Sequence, residues 1–439
     1  MDFAFFILLN AVLFIRPSEI IPDLATVPIY EIVILVCLTL TFRRIIGQLS
    51  MKSLVSRPVS LFVVGVWVAV ILSMLFGMFW LTGAKNAGME FGKTVLYYLL
   101  LVAVVDTVPR LRNFLLSLCI LTGAVCGIAV LEYHQVIDIP GLSVLEQNAV
   151  DPKTGETIVI PRIRATGIFG DPNDLSMLTV LGMTLAAYGL AVPRWRPYLP
   201  LWLGAIALFV YTLVLTHSRG GLLAFLIGSI VLFQSRFGWQ RAVPLIACAL
   251  PLALLIFSER QTEFAGAMSE GTGQARIQFW REGLQLLRSK PIFGIGHGQF
   301  AEEVRHVAHN SFVHAYTELG VFGGTLFLAA FAYPIWAIYR LGNSQHIDVL
   351  PPSLARLRPY LLAAIAGYAG AMLTLSRNYI VPTYLVLALA AVYLRLVQGD
   401  LPLPELKFDQ RLARRLAFAS VAFLAATYAF VRVFARWSG

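Results

Sequence analysis

The stretch 59–80, VSLFVVGVWVAVILSMLFGMFW, decides the fold. It runs without one charged residue for the length that a helix needs to cross hydrocarbon, about 20 residues. Working outward, the same composition returns at 3–15, 28–42, 91–105, 114–133, 175–192 and 201–215, and again at 222–233, 243–257, 312–339, 360–375, 380–396 and 416–431. These blocks predict twelve to thirteen transmembrane helices and an all-α, polytopic integral membrane protein. The whole 439-residue chain agrees, being 58% hydrophobic and 13% charged, with a mean hydropathy of +0.75. A soluble protein is about a quarter charged, so a cytosolic enzyme, a secreted domain and a disordered scaffold are excluded. Cys37, Cys119, Cys126 and Cys248 all fall inside apolar blocks and read as small packing residues, with neither a disulfide frame nor metal-ligand spacing. No basic segment precedes the first block and Asp2 is acidic, so no cleavable signal peptide is expected.

The net charge of +10 is first a matter of sidedness. Alternate loops carry Arg43, Arg44, Lys52 and Arg57; Arg110 and Arg112; Arg194 and Arg196; Arg236 and Arg241; Arg340, Arg356 and Arg358; and Lys407, Arg411, Arg414 and Arg415. Lys and Arg are retained on the cytoplasmic side, so these loops face the cytoplasm and no nucleic acid need be invoked for the charge. The intervening polar segments 135–174 and 258–310 then face outward. This gives an order of N-terminal membrane helices (1–134), an outer loop (135–174), further membrane helices (175–257), a large outer loop (258–310) and C-terminal helices (311–439), one membrane domain overall. The thirteen-span count leaves the C-terminus outside, where Arg432 and Arg436 fit poorly. The absence of a P-loop makes nucleotide-driven chemistry unexpected, and any substrate on the outer face must arrive already activated.

Four outward segments carry the chemistry. In RIRATGIFGDPNDL, Asp171 and Asp174 are a possible divalent-cation pair, but Asp171, Pro172 and Asp174 also spell a helix start, which is the stronger reading. In THSRGGLL, Ser218 can cap a helix, Gly220 and Gly221 permit a close approach, and Arg219 lies where an unpaired guanidinium is costly. In GQARIQFWREGLQLLRSKPIFGIGHGQF, the residues Ile277, Trp280, Leu284 and Leu287 recur at helical spacing, predicting an amphipathic helix on the protein or membrane surface. Arg276 edges one side of that stripe, and Arg281 and Arg288 the other. Gly294, Gly296 and Gly298 read as a turn. In HVAHNSFVHAYTELG, His309 stands at the mouth of a helix whose positive end favours a neutral imidazole, Asn310 or Ser311 can cap it, and His314 and Glu318 share a face. His297, His306, His309 and Glu302 match no metal cage.

These segments, in this order, resemble the O-antigen ligase and polymerase superfamily of bacterial membrane glycosyltransferases. The matching stretches are RATGIFGDPNDL, THSRGGLLAF, ARIQFWREGL with PIFGIGHGQF, and HNSFVHAYTELGVFGGTLF, covering roughly 162–327. The resemblance implies a GT-C-like helical fold in the inner membrane with its active site facing the periplasm. It also implies an undecaprenyl-diphosphate-linked glycan as donor, a glycolipid or glycan acceptor such as lipid A-core, and no nucleotide, metal or cofactor. The family's two essential arginines and histidine correspond to Arg219, Arg276 and His309. Bidentate guanidiniums suit a leaving diphosphate, with Arg164, Arg281 and Arg288 as assistants, and a neutral His309 suits deprotonation of an acceptor hydroxyl in inverting transfer, oriented by His314 or Glu318. Some polymerases of the family place Gly eleven residues after a loop Arg. None of Arg162, Arg164, Arg276, Arg281, Arg288 or Arg305 has one, which leans toward ligase over that kind of polymerase, while surface or exopolysaccharide repeat-unit polymerases and oligosaccharyltransferases for protein acceptors share the same core motifs. A secondary transporter or lipid-linked sugar flippase is the competing class, and it would place ionisable groups nearer the midplane than Glu31 and Glu132.

Overall fold

The computed structural model describes residues 1–139, 141–150, 157–256, 272–342, 350–400 and 406–435. Pro140, Asp348, Glu405, Arg436 and the stretches 151–156 and 257–271 of the two outer loops lie outside the described residues, as do the side chains of Cys248 and Asp400. The chain is 81% helical with almost no strand, an all-α polytopic membrane protein. Along the sequence run α1 (Asp2–Ile15), α2 (Pro17–Ile20), α3 (Ile29–Gln48), α4 (Met51–Ser56), α5 (Pro58–Leu72), α6 (Leu81–Val104) and α7 (Val108–Tyr133). A hairpin follows, β1 (Leu145–Val150) antiparallel to β2 (Thr157–Arg162), with Leu145 opposite Arg162. Next come α8 (Pro172–Ala191), α9 (Leu199–Thr216), α10 (Arg219–Phe237) and α11 (Trp239–Ile256), then α12 (Thr272–Ser289) and α13 (Gln299–Val304). The last helices are α14 (Ser311–Gly342), α15 (Pro352–Ala371), α16 (Val381–Asp400) and α17 (Gln410–Phe434).

Each expected apolar block is mostly helical among the described residues. Ten helices among the described residues are long and apolar enough to cross a membrane. The blocks in α3, α11 and α15 are outside that set; α3 carries Glu31, Arg43 and Arg44, and α15 carries Arg356 and Arg358. The block 312–339 is not one straight helix, because Gly320 (φ 68°, ψ −172°) interrupts α14 after Leu319. The hairpin between α7 and α8 has no counterpart in the sequence reading.

The chain forms two compact units. The first comprises residues 1–46, 100–260 and 341–371. Its tightest pair is α10 against α15, where Ala224 and Gly228 on one helix face Ala363 and Gly367 on the other. A β-carbon on Gly367 would stand 2.7 Å from the carbonyl of Ala224. Between membrane helices, where lipid is as apolar as leucine, such small residues permit the close backbone contact that drives association. At one end Asp2 pairs with Arg44 (2.7 Å) and Arg110 (3.0 Å), Arg110 pairs with Asp106, and Arg358 donates to the carbonyl of Ser235. At the other, Gly167 N–H donates to Glu19, and Ser218 meets Asn173.

The second unit comprises residues 47–99, 261–340 and 372–439. Its core is aromatic: Phe91 packs edge-on against Tyr379 and Tyr384, and buried Tyr98 shares a hydrogen bond with Ser60. Helix α17 runs along α14, since Tyr333 donates to the carbonyl of Leu406, Ser420 bonds Tyr316 and Thr325, and Phe430 packs on Trp280. Arg340 and Arg415, from two loops assigned to one side, stack on the same Trp336 ring.

Candidate functional site

In the first unit the polar residues converge on the turn between α9 and α10. His217 ends α9 in the left-handed region (φ 48°), and Ser218 caps α10 by accepting from Gly221 N–H at 3.1 Å. Arg219 is therefore the first residue of α10, half-buried at the positive end of the helix. Asn173 Oδ1 accepts from both Ser218 Oγ (2.9 Å) and Arg162 Nη2 (3.2 Å). Buried Arg162 also donates to the carbonyl of Thr216 and to Gln147, so its donors tie the hairpin to the α9–α10 turn. Asp171 caps α8 by accepting from Asn173 N–H at 2.7 Å, with Pro172 in the first turn. The helix-start reading of that segment is the one the geometry bears out. Arg164 donates Nε to the carbonyl of Gly170 and holds the loop that precedes the cap. Gly221 lies against Ser176, so the close approach that the double glycine permits is to α8.

In the second unit α12 forms as its spacing requires and lies on protein. Phe279 and Leu286 pack on the cluster of Phe300, Val304 and Ala308, while Trp280 packs on Phe430. Trp280 donates its indole N–H to the carbonyl of Ala308 at 2.7 Å. That bond pins the helix to the peptide just before His309, and Arg276 is one turn away on the same helix face. Arg281 is half-buried beside Gln278, and Arg288 is exposed in the last turn. His309 itself is left-handed (φ 49°), a conformation unusual for a residue with a side chain, although histidine is among those that adopt it. Its neighbours fix it there. Asn310 caps α14 by accepting from Phe312 and Val313 N–H, and Ser311 donates to the carbonyl of Leu375 and accepts from Arg377 N–H.

Two turns into α14 lies a buried polar hub that the sequence reading saw only in part. Glu318, fully buried, is 3.0 Å from His314 Nε2 and accepts from Tyr379 Oη at 2.8 Å and Phe300 N–H at 3.1 Å. The PIFGIGHG turn packs on the same spot. Ile295 N–H donates to the carbonyl of Thr317 and Gly296 N–H to that of Glu318. Gly294 and Gly320 face each other there, both at positive φ, and a β-carbon on either would collide with the backbone of the other's segment. His297 lies against the Tyr379 ring at 4.4 Å, and burial pushes its imidazole below the usual histidine range, so it is neutral near pH 7. Burial and the neighbouring Glu318 raise the Tyr379 phenol well above its usual range, so it remains a donor. His314 Nδ1 is buried with no hydrogen-bond partner among the described residues. His306 stacks on Phe279, apart from any cage, and no group of three or more His, Cys, Asp or Glu among the described residues could hold a metal ion.

With this geometry in view, comparison with protein families is decisive for one stretch. Residues 204–328 match the O-antigen ligase family. That stretch supports the resemblance to the O-antigen ligase and polymerase superfamily and contains three of the four motifs, RATGIFGDPNDL lying before it. The matched residues include Arg219, Arg276, Arg281, Arg288, His309, His314 and Glu318, whereas Arg164 and the hairpin precede them. No curated protein matches the chain. The family implies glycosyltransferase-like activity, lipid-linked glycan substrates and a multi-pass membrane location. Tyr379 has no signal in the sequence, and Trp280, read there as part of an apolar stripe, gave no sign of its bond to Ala308. Glu318 gave the one available signal, an acid inside an otherwise apolar helix, but its partner is 61 positions away.

Proposed function

We propose that this protein is a metal-independent, inverting glycosyltransferase of the O-antigen ligase type. In this reading it moves a glycan from an undecaprenyl-diphosphate donor to a hydroxyl of a glycolipid acceptor, such as lipid A-core, on the periplasmic face of the bacterial inner membrane. The acceptor oxygen bonds to the anomeric carbon as the bond from that carbon to the diphosphate oxygen breaks. The acceptor proton passes to His309, and the charge that develops on the leaving diphosphate is met by Arg219 and Arg276. Arg164, Arg281 and Arg288 are assigned to the donor's remaining charge, and His314, whose Nδ1 points away from Glu318, to the glycan. The observation that carries this reading is the pin from Trp280 to Ala308, which sets an arginine-bearing helix beside a histidine with a fixed backbone.

The test is transfer by the purified chain in detergent micelles, with lipid-diphosphate-linked glycan, acceptor and a chelator. Product is expected without nucleotide or added metal. No product in micelles, with donor crossing sealed vesicles instead, would establish the flippase reading. Deletion in cells separates the two members of the superfamily: long glycan accumulating on the lipid carrier marks a ligase, and single repeats mark a repeat-unit polymerase.

A further inference from the structure

The first unit contains a groove of about 600 Å³ unrelated to the residues above, at the arginine-bearing end of α7 and α9. Its floor is apolar, with Leu116, Ile120 and Gly123 from α7 facing Leu201 and Ala205 from α9. Ile120 and Leu201 are largely exposed, so the groove opens sideways, where a membrane-embedded helix pair meets lipid. Its mouth is cationic. Arg112 and Arg194 both line it and no acidic residue does. Neither guanidinium makes an ion pair or hydrogen bond with any described residue. This contrasts with Arg110, two positions from Arg112, which is bound to Asp2 and Asp106. Trp195 and Tyr198 complete the rim, the amphipathic rings that settle at the level of lipid headgroups. Both α7 and α9 begin at this mouth, adding the positive ends of two helices.

We propose that this groove binds one anionic phospholipid, its phosphate between Arg112 and Arg194 and an acyl chain along Ile120, Gly123 and Leu201. Two uncompensated guanidiniums at a helix interface call for an anion, and an apolar floor open to the bilayer calls for a chain attached to it. A zwitterionic lipid satisfies the floor but brings its own cation to the mouth. Inorganic phosphate satisfies the mouth and leaves the floor empty. Gly123 makes the occupant testable from the chain side, because a β-carbon there meets no atom within 4 Å. A leucine at that position fills the groove without displacing protein, and it also favours the helix.

The experiment is thermal unfolding of the purified full-length protein in mixed micelles of phosphatidylglycerol or phosphatidylcholine, with quantitation of the phospholipid that co-purifies. Wild-type protein should unfold a few degrees higher with phosphatidylglycerol and retain it selectively, because a ligand that binds only the native state raises the midpoint. Both Arg112→Gln/Arg194→Gln and Gly123→Leu should lose that difference and most of the retained lipid, while unfolding normally in phosphatidylcholine. Equal midpoints for wild type in the two lipids, or undiminished selectivity in both variants, would overturn the proposal. Loss in Gly123→Leu alone would overturn the role of the arginines. A matching shift with inorganic phosphate would overturn the lipid.

Discussion

Trp280 donates its indole N–H to the carbonyl of Ala308, and through that one bond of 2.7 Å the helix bearing Arg276 is fastened to the loop bearing His309. Packing of Phe279 and Leu286 on Phe300, Val304 and Ala308 joins the same two segments, and the bond adds a directional restraint on the peptide that precedes His309. Trp280→Phe keeps the packing on Phe430 and removes only the donor. It should leave membrane insertion unchanged and lower the glycan-transfer rate about 10-fold to 100-fold, since a misplacement of about 1 Å in a site costs that much. Transfer assays on matched amounts of purified protein check this. A wild-type rate would show that the pin positions nothing used in the reaction.

Glu318 is the second anchor. It is fully buried, and its carboxyl group joins α14, α13 and the Tyr379 loop through His314, Phe300 N–H and Tyr379. Glu318→Ala strands these donors and should cost about 3–5 kcal/mol of stability, whereas Tyr379→Phe removes one neutral donor and should cost about 1 kcal/mol. Glu318→Gln still accepts from Phe300 and Tyr379, and should fall between them. Unfolding midpoints in detergent give the order.

Burial of His297 predicts a pH dependence. Its folded-state pKa lies below that of the unfolded chain, which protonates near pH 6.5. Between those two values the unfolded state binds the proton and the native state does not, so stability falls as pH drops from about 6.5 toward the folded pKa. Above pH 7 the residue contributes nothing to the slope. His297→Gln should flatten the midpoint-versus-pH curve in that acidic window, and an unchanged curve would mean that folding does not shift the titration of His297.

Much of this was legible in the sequence for a simple reason: the information was local. The apolar blocks, the cap at Asp171, the cap at Ser218, the cap at Asn310 and the pairing of His314 with Glu318 all depend on residues within four positions of one another. What was not legible depends on residues far apart. Arg162 received no role from the sequence, yet its donors go to Thr216, Gln147 and Asn173, partners that only the folded chain brings near. The glycines of PIFGIGHG looked like a bare turn. Their positive φ values serve a backbone-to-backbone contact with the break at Gly320, which no spacing within the turn encodes. Tyr379 closes the hub around Glu318 from a different loop.

The central claim is that Arg219, Arg276 and His309 carry out glycan transfer. The most direct measurement is the single-turnover rate of purified Arg219→Ala, Arg276→Ala and His309→Ala in micelles, beside Arg196→Ala, an exposed arginine outside the proposed site. Removal of a group that stabilises developing charge costs on the order of 100-fold to 1,000-fold in rate. The first three variants should lose at least that much while folding normally, and Arg196→Ala should match the wild type. Near-wild-type transfer by Arg219→Ala, Arg276→Ala or His309→Ala would contradict the assignment.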